Sequence, residues 1–192
     1  YSFSADESKL LLTTGSVPLF RWSTEADFFV FDQQTKKLER LFDGAKQRYA
    51  TFSPDASKVA FVSGNDLYYK DLSSGKTTRV TTDGQQNAII NGASDWVYEE
   101  EFAFTRAFDW SKDGRYLAYY RFDESEVPQY TMAKYTGLYP EQYTFKYPKA
   151  GERNSAVEIR IYDVQDDHTI NANVGEEKDQ YIPRIKWTEN PG

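Results

Sequence analysis

The residues best equipped for chemistry lie together in Asp95-Trp96-Val97-Tyr98-Glu99-Glu100-Glu101-Phe102. Three successive carboxylates stand against a Trp, a Tyr and a Phe. Solvated charge runs are usually diluted with Ser, Lys, Gly or Pro; here the aromatic neighbours favour burial while like charges repel. An arriving cation relieves that conflict, and local rule-breaking of this kind marks functional or strained sites. An acidic turn with every Glu facing water is the alternative that composition alone leaves open. Carboxylates accept short, charge-assisted hydrogen bonds from such a cation. Asp95 or Ser94 can N-cap a short turn that begins at Trp96. Tyr98 and Phe102 then pin the acidic turn, with Trp96 as a further anchor.

Arg21 is the second candidate. It sits in Leu19-Phe20-Arg21-Trp22-Ser23, just before the apolar run Asp27-Phe28-Phe29-Val30. Its fork of donors suits a peptide carbonyl or braces a carboxylate; the other reading lays it over Phe20 or Trp22 on a surface. The single histidine, His168, follows Asp166-Asp167 and reads as a surface turn residue. With one His and no Cys, no metal site is expected. Gly92-Ala93-Ser94-Asp95-Trp96 lacks the closing glycine of a nucleophile elbow, so no catalytic residue is assigned within the chain.

The elements that must position these residues are mostly strands. The 192 residues are 17% aromatic, with 15 Tyr and 13 Phe, and long Ala/Leu/Glu/Lys helical stretches are absent. A formal charge of -7 argues against nucleic acid as a partner. No run of about 20 apolar residues is present, and zero cysteines leave the compartment open. A motif of aromatic, Ser/Thr, turn residues and apolar strand recurs around Ser4, Ser53, Ser111 and, incompletely, Thr188, at intervals of 49, 58 and 77 residues. Between these anchors, strand–turn–strand patterns begin at Phe28, Asp66 and Val157. Four short antiparallel strands in repeats of about 40–60 residues are the signature of propeller blades. The expected fold is therefore all-β: a partial β-propeller of about three four-stranded antiparallel blades, plus an extended insertion over about 123–156 that accounts for the long interval. Three intervals do not close a ring, and the chain starts and stops inside blade motifs, so residues 1–192 read as a fragment.

The octamer also resembles the double-glutamate segment in the N-terminal β-propeller of dipeptidyl peptidase IV and its relatives in the prolyl oligopeptidase family. Phe122-Asp123-Glu124-Ser125-Glu126-Val127-Pro128 and Tyr147-Pro148-Lys149-Ala150-Gly151 extend the likeness, which runs from about Phe20 to Asp163. The resemblance implies a serine exopeptidase that removes dipeptides from free N-termini, with Pro or Ala penultimate. Glu100 and Glu101 would hold the substrate α-ammonium, Glu99 would be the outer member of the run, and Arg21 would meet the substrate backbone. It further implies that the catalytic residues lie on a C-terminal α/β-hydrolase domain absent from this chain, that no cofactor is needed, that the parent is compatible with a homodimer, and that a periplasmic or other extracytoplasmic location is favoured. A tripeptidyl aminopeptidase of the same architecture and a non-catalytic peptide-binding or scaffold propeller stay open.

Overall fold

The computed structural model describes residues 1–189. Three antiparallel sheets follow one another along the chain. The first is built from β1 (Ser2–Phe3), β2 (Lys9–Pro18), β3 (Thr24–Asp32) and β4 (Leu38–Arg40), in that order across the sheet. The second repeats the plan with β5 (Arg48–Phe52), β6 (Lys58–Ser63), β7 (Asp66–Asp71) and β8 (Thr77–Arg79). The expected propeller blades are present and the set does not close into a ring.

Each repeat is stapled by the side chains that made it visible in the sequence. After the aromatic that ends the first strand, a buried Ser hydroxyl accepts the backbone N–H five residues on: Lys9 to Ser4 at 3.0 Å, Lys58 to Ser53 at 2.9 Å, Tyr116 to Ser111 at 2.8 Å. The same hydroxyl donates to an Asp two residues later, at 2.7, 2.6 and 2.5 Å for Asp6, Asp55 and Asp113. That Asp in turn accepts a backbone N–H inside the turn. Turn polarity thus closes on itself, so the hairpin can abut the next blade without orphaned donors. The fourth occurrence of the motif reaches Glu189, and its last three residues, Asn190, Pro191 and Gly192, lie outside the described residues.

The middle sheet explains its own hydrophobicity. Val59 and Phe61 face the first sheet, packing with Leu11, Val30 and Leu41. Ala60 and Val62 face the third, with Leu67, Trp110, Leu117 and Tyr119. A strand buried on both faces needs an unbroken apolar run, and Val59-Ala60-Phe61-Val62 is one.

The third sheet departs from the plan. Its first strand is split into β9 (Ile89–Asn91) and β10 (Phe108–Trp110). Both lie antiparallel along β11 (Tyr116–Asp123), β9 beside residues 121–123 and β10 beside 117–119. Residues 92–107 leave and rejoin this line, pinched at the base by the Ala93–Arg106 bridge. Gly92 opens the excursion with φ +75°, where a Cβ would lie 3.1 Å from Val62 Cγ2, so both the turn and the close approach require glycine. The excursion carries the only helix among the described residues, α1 (Trp96–Phe102). Beyond β11 the chain makes a separate hairpin of β12 (Gln129–Lys134) and β13 (Glu141–Lys146) before rejoining the sheet as β14 (Ala156–Asp163) and β15 (His168–Asn171).

Candidate functional site

The acidic run is helical and its start is fixed by Asp95. One carboxylate oxygen of Asp95 accepts the Tyr98 N–H at 2.9 Å, and the other accepts the Ser155 hydroxyl at 2.6 Å. The N-cap therefore also ties the helix to the chain entering β14. Burial pushes the Asp95 carboxyl up, and those same hydrogen bonds oppose the shift. Ala103 ends the helix in the left-handed region, φ 55°.

Tyr98 anchors the helix. Its ring is 1% exposed and packs against Phe102, Phe104, Tyr120 and Phe122, while its hydroxyl accepts the Ile182 N–H at 2.9 Å. Trp96 lies at the other edge, with its ring centroid 4.2 Å from that of Tyr147.

The three glutamates have three different environments. Glu99 is 1% exposed, and its Oε1 accepts the backbone N–H groups of Trp22 at 2.6 Å and Ser23 at 3.0 Å. The expectation that Glu99 is the outer member of the run is corrected by this burial. At this helical position the side chain turns inward and clasps the β2–β3 loop of another blade. Its Oε2 is buried without a partner among the described residues. Glu100 accepts both bonds from Arg21 Nε, at 3.0 and 2.8 Å. Arg21 therefore lies against the acidic helix, and its side chain keeps 64% exposure. Glu101 is exposed, makes no hydrogen bond or ion pair among the described residues, and lines a separate cleft of about 480 Å³ with Lys149, Glu152 and Tyr181. The structure thus brings Arg21 onto Glu100, and Trp22 and Ser23 onto Glu99, and sets Glu101 on the adjacent helical face, about 100° around the axis.

Loops from three blades converge here: residues 19–23, residues 64–65, and the two excursions of the third sheet. Between them is a polar cavity of about 380 Å³ whose members include Arg48, Asn65, Ser94 and Glu124. Arg48 Nη2 donates to Asn65 Oδ1 at 2.6 Å, and burial pulls the guanidinium below its ordinary range. The Ser94 hydroxyl has no partner among the described residues. Glu124 is 6% exposed, and burial, followed by repulsion from Asp95, pushes its carboxyl up to about 7. Neither Arg48 nor Glu124 was singled out from the sequence as a site residue. A cue for Glu124 did exist: two residues after the buried Phe122, strand alternation keeps it on the inward side.

His168 is exposed, and its ring lies within 4.8 Å of donor atoms of Asp163 and Asp166. Arg115 donates to both aspartates, at 2.7 and 3.1 Å, and holds the Asp163 carboxyl down at about 2. This group is a braced β-hairpin turn.

A family model described as "Dipeptidyl peptidase IV (DPP IV) N-terminal region" matches residues 4–191. Dipeptidyl aminopeptidase B of Saccharomyces cerevisiae is 35% identical over 97% of this chain and 24% of its own length. Prolyl endopeptidase FAP of Mus musculus is 35% identical over 88% of this chain and 23% of its own. The crystal structure of Porphyromonas gingivalis dipeptidyl peptidase 4 superposes with a TM-score of 0.93 at 42% identity, covering 98% of this chain and 27% of that one. The chain thus spans about a quarter of the length of these relatives.

Proposed function

The chain belongs to the family of dipeptidyl peptidase IV N-terminal regions, and from that premise we propose that it is the substrate-reading propeller portion of a serine exopeptidase. The parent removes dipeptides from free N-termini, with Pro or Ala favoured in the penultimate position. Glu100 and Glu101 hold the α-ammonium of the peptide, and Arg21 offers its free Nη donors to the peptide backbone. The nucleophilic serine and its base belong to an α/β-hydrolase domain of the parent, so residues 1–192 alone hydrolyse nothing.

The observation that carries this reading is how the acidic run is partnered. Glu99 is committed to the backbone, Glu100 is oriented by Arg21, and Glu101 stands accessible with no partner among the described residues. A peptide α-amino group has a pKa of about 7.7–8.0 and is mostly charged at neutral pH. Each carboxylate about 4 Å from it attracts it by about 4 kcal/mol at an effective dielectric near 20, before desolvation is subtracted. Fixing that end of the peptide makes the distance to the nucleophile a ruler for the length removed.

The test uses the full-length protein with free and N-acetylated Gly-Pro amides. Glu101→Gln is expected to lower kcat/KM for the free substrate by roughly 10- to 150-fold, the cost of about 1.5–3 kcal/mol for a lost charge-assisted bond. The acetylated substrate, poor from the start, should lose little more. Equal losses on both would mean that the glutamates hold up the fold and do not read the N-terminus.

A further inference from the structure

Beside the glutamates lies a basin of about 740 Å³ that ammonium capture does not use. Phe20 and Arg21 border it from the β2–β3 loop, Trp96 from the start of α1, and the β12–β13 hairpin with the residues after it forms the far wall. The lining is aromatic: Tyr130, Tyr143, Phe145 and Tyr147 interlock on the hairpin side, and Phe20 meets Phe145 at 5.7 Å between centroids.

Its charges are all of one sign. Among the described residues, Arg21, Lys134 and Lys149 line the basin and no carboxylate does, in a chain whose net charge is -7. Lys134 lies over the Tyr143 ring at 4.7 Å and Lys149 over Tyr130 at 5.9 Å. Neither ammonium makes an ion pair among the described residues. Arg21 engages Glu100 through Nε alone, which leaves its Nη groups toward solvent. Arg21 is already paired with Glu100, so Lys134 and Lys149 are the cations that an arriving anion would relieve.

We infer that this basin is the subsite for the side chain of the peptide's N-terminal residue, and that it selects an acidic side chain there. The inference rests on the proposed ammonium site, because the side chain leaves the same α-carbon as the ammonium and Arg21 borders both places. A glutamate fits the chemistry: its methylene stem lies on the aromatic walls, and its carboxylate reaches the cations, whose positions over tyrosine rings hold them near the basin. A neutral aromatic side chain would use the walls and leave the cations unrelieved.

The experiment compares kcat/KM of the full-length enzyme for Glu-Pro, Gln-Pro and Gly-Pro amides, in the native protein and in the Lys134→Gln/Lys149→Gln double variant. Glu-Pro and Gln-Pro differ in charge at nearly equal size. The native enzyme is expected to favour Glu-Pro over Gln-Pro by about 2- to 30-fold at low salt, from exposed pairs worth about 0.2–1 kcal/mol per lysine. High salt should shrink that ratio. The double variant should erase it and cost Glu-Pro more than Gly-Pro. Three results overturn the inference: no Glu-over-Gln preference, a preference the double variant retains, or a loss on Gly-Pro as large as on Glu-Pro. Glu101→Gln separates the two readings. If it slows none of the three substrates, the ammonium site fails on its own; if it slows all three, the ammonium site stands and the Glu:Gln ratio judges the basin.

Discussion

Glu99 and Glu101 sit two residues apart on one helix of seven residues, yet the fold uses them for opposite purposes. Removing the Glu99 carboxylate strips the acceptor from two backbone N–H groups of the β2–β3 loop, and orphaned buried donors cost about 1–3 kcal/mol. Glu99→Ala is therefore expected to lower thermal stability and loosen the loop that carries Arg21, so that KM rises along with the loss of Tm. Glu99→Gln keeps an acceptor oxygen and should cost less than about 1 kcal/mol. Glu101→Gln should leave stability within about 0.5 kcal/mol of native and Tm almost unmoved, as an exposed position away from structural contacts does. Calorimetry beside kinetics separates the cases, and equal Tm for Glu99→Ala and native would refute the clasp. The sequence could not rank the three glutamates. Their types are identical, and what distinguishes them is contact with Arg21, Trp22 and Ser23, 76 to 79 residues away.

At the scale of elements, legibility followed locality. The Ser-x-Asp turns could be read because their bonds close within five residues, as Lys58 to Ser53 shows. The Asp95 cap was visible for the same reason, its bond to Tyr98 spanning three residues. The splitting of one strand into β9 and β10 was not legible, since only pairing with the later strand β11 reveals that the two pieces are collinear. Nor could the aromatic alternation of Tyr143-Thr144-Phe145 say which loops the hairpin would lie beside. The local staples yield a prediction of their own. Ser4, Ser53 and Ser111 are 2%, 1% and 6% exposed and each accepts one turn N–H. Ser→Ala at each is expected to cost about 1–3 kcal/mol. The loss at Ser53, in the blade packed on both faces, should appear as global unfolding, and that at Ser4 as early opening of the first hairpin in hydrogen exchange. Uniform exchange across the three turns in all variants would show that the staples are dispensable.

Over the whole molecule, loops of three blades meet around one polar cavity, and that cavity makes stability depend on pH. Glu124 faces Asp95 from the helix cap, Arg48 from the second sheet, Lys146 from the hairpin and its neighbour Asp123, and Glu25 shares the cavity. Burial and the Asp95 charge outweigh the two cations and raise its carboxyl from an ordinary 4.5 to about 7. The folded chain consequently binds this proton more tightly than the unfolded chain. Wherever the folded state holds more protons, stability falls as pH rises, so the loss begins near the unfolded value of about 4.3–4.5 and is complete above about 7. A displacement of that size corresponds to about 3 kcal/mol at 1.36 kcal/mol per pKa unit. Glu124→Gln keeps the size and cannot ionise, so it should gain on the native protein by up to about 3 kcal/mol at pH 8 and by little at pH 4.5. Urea unfolding of both proteins at the two pH values measures the difference directly. A variant whose advantage is the same at pH 4.5 and pH 8 would place the Glu124 carboxyl in water, outside the cavity that the three blades enclose.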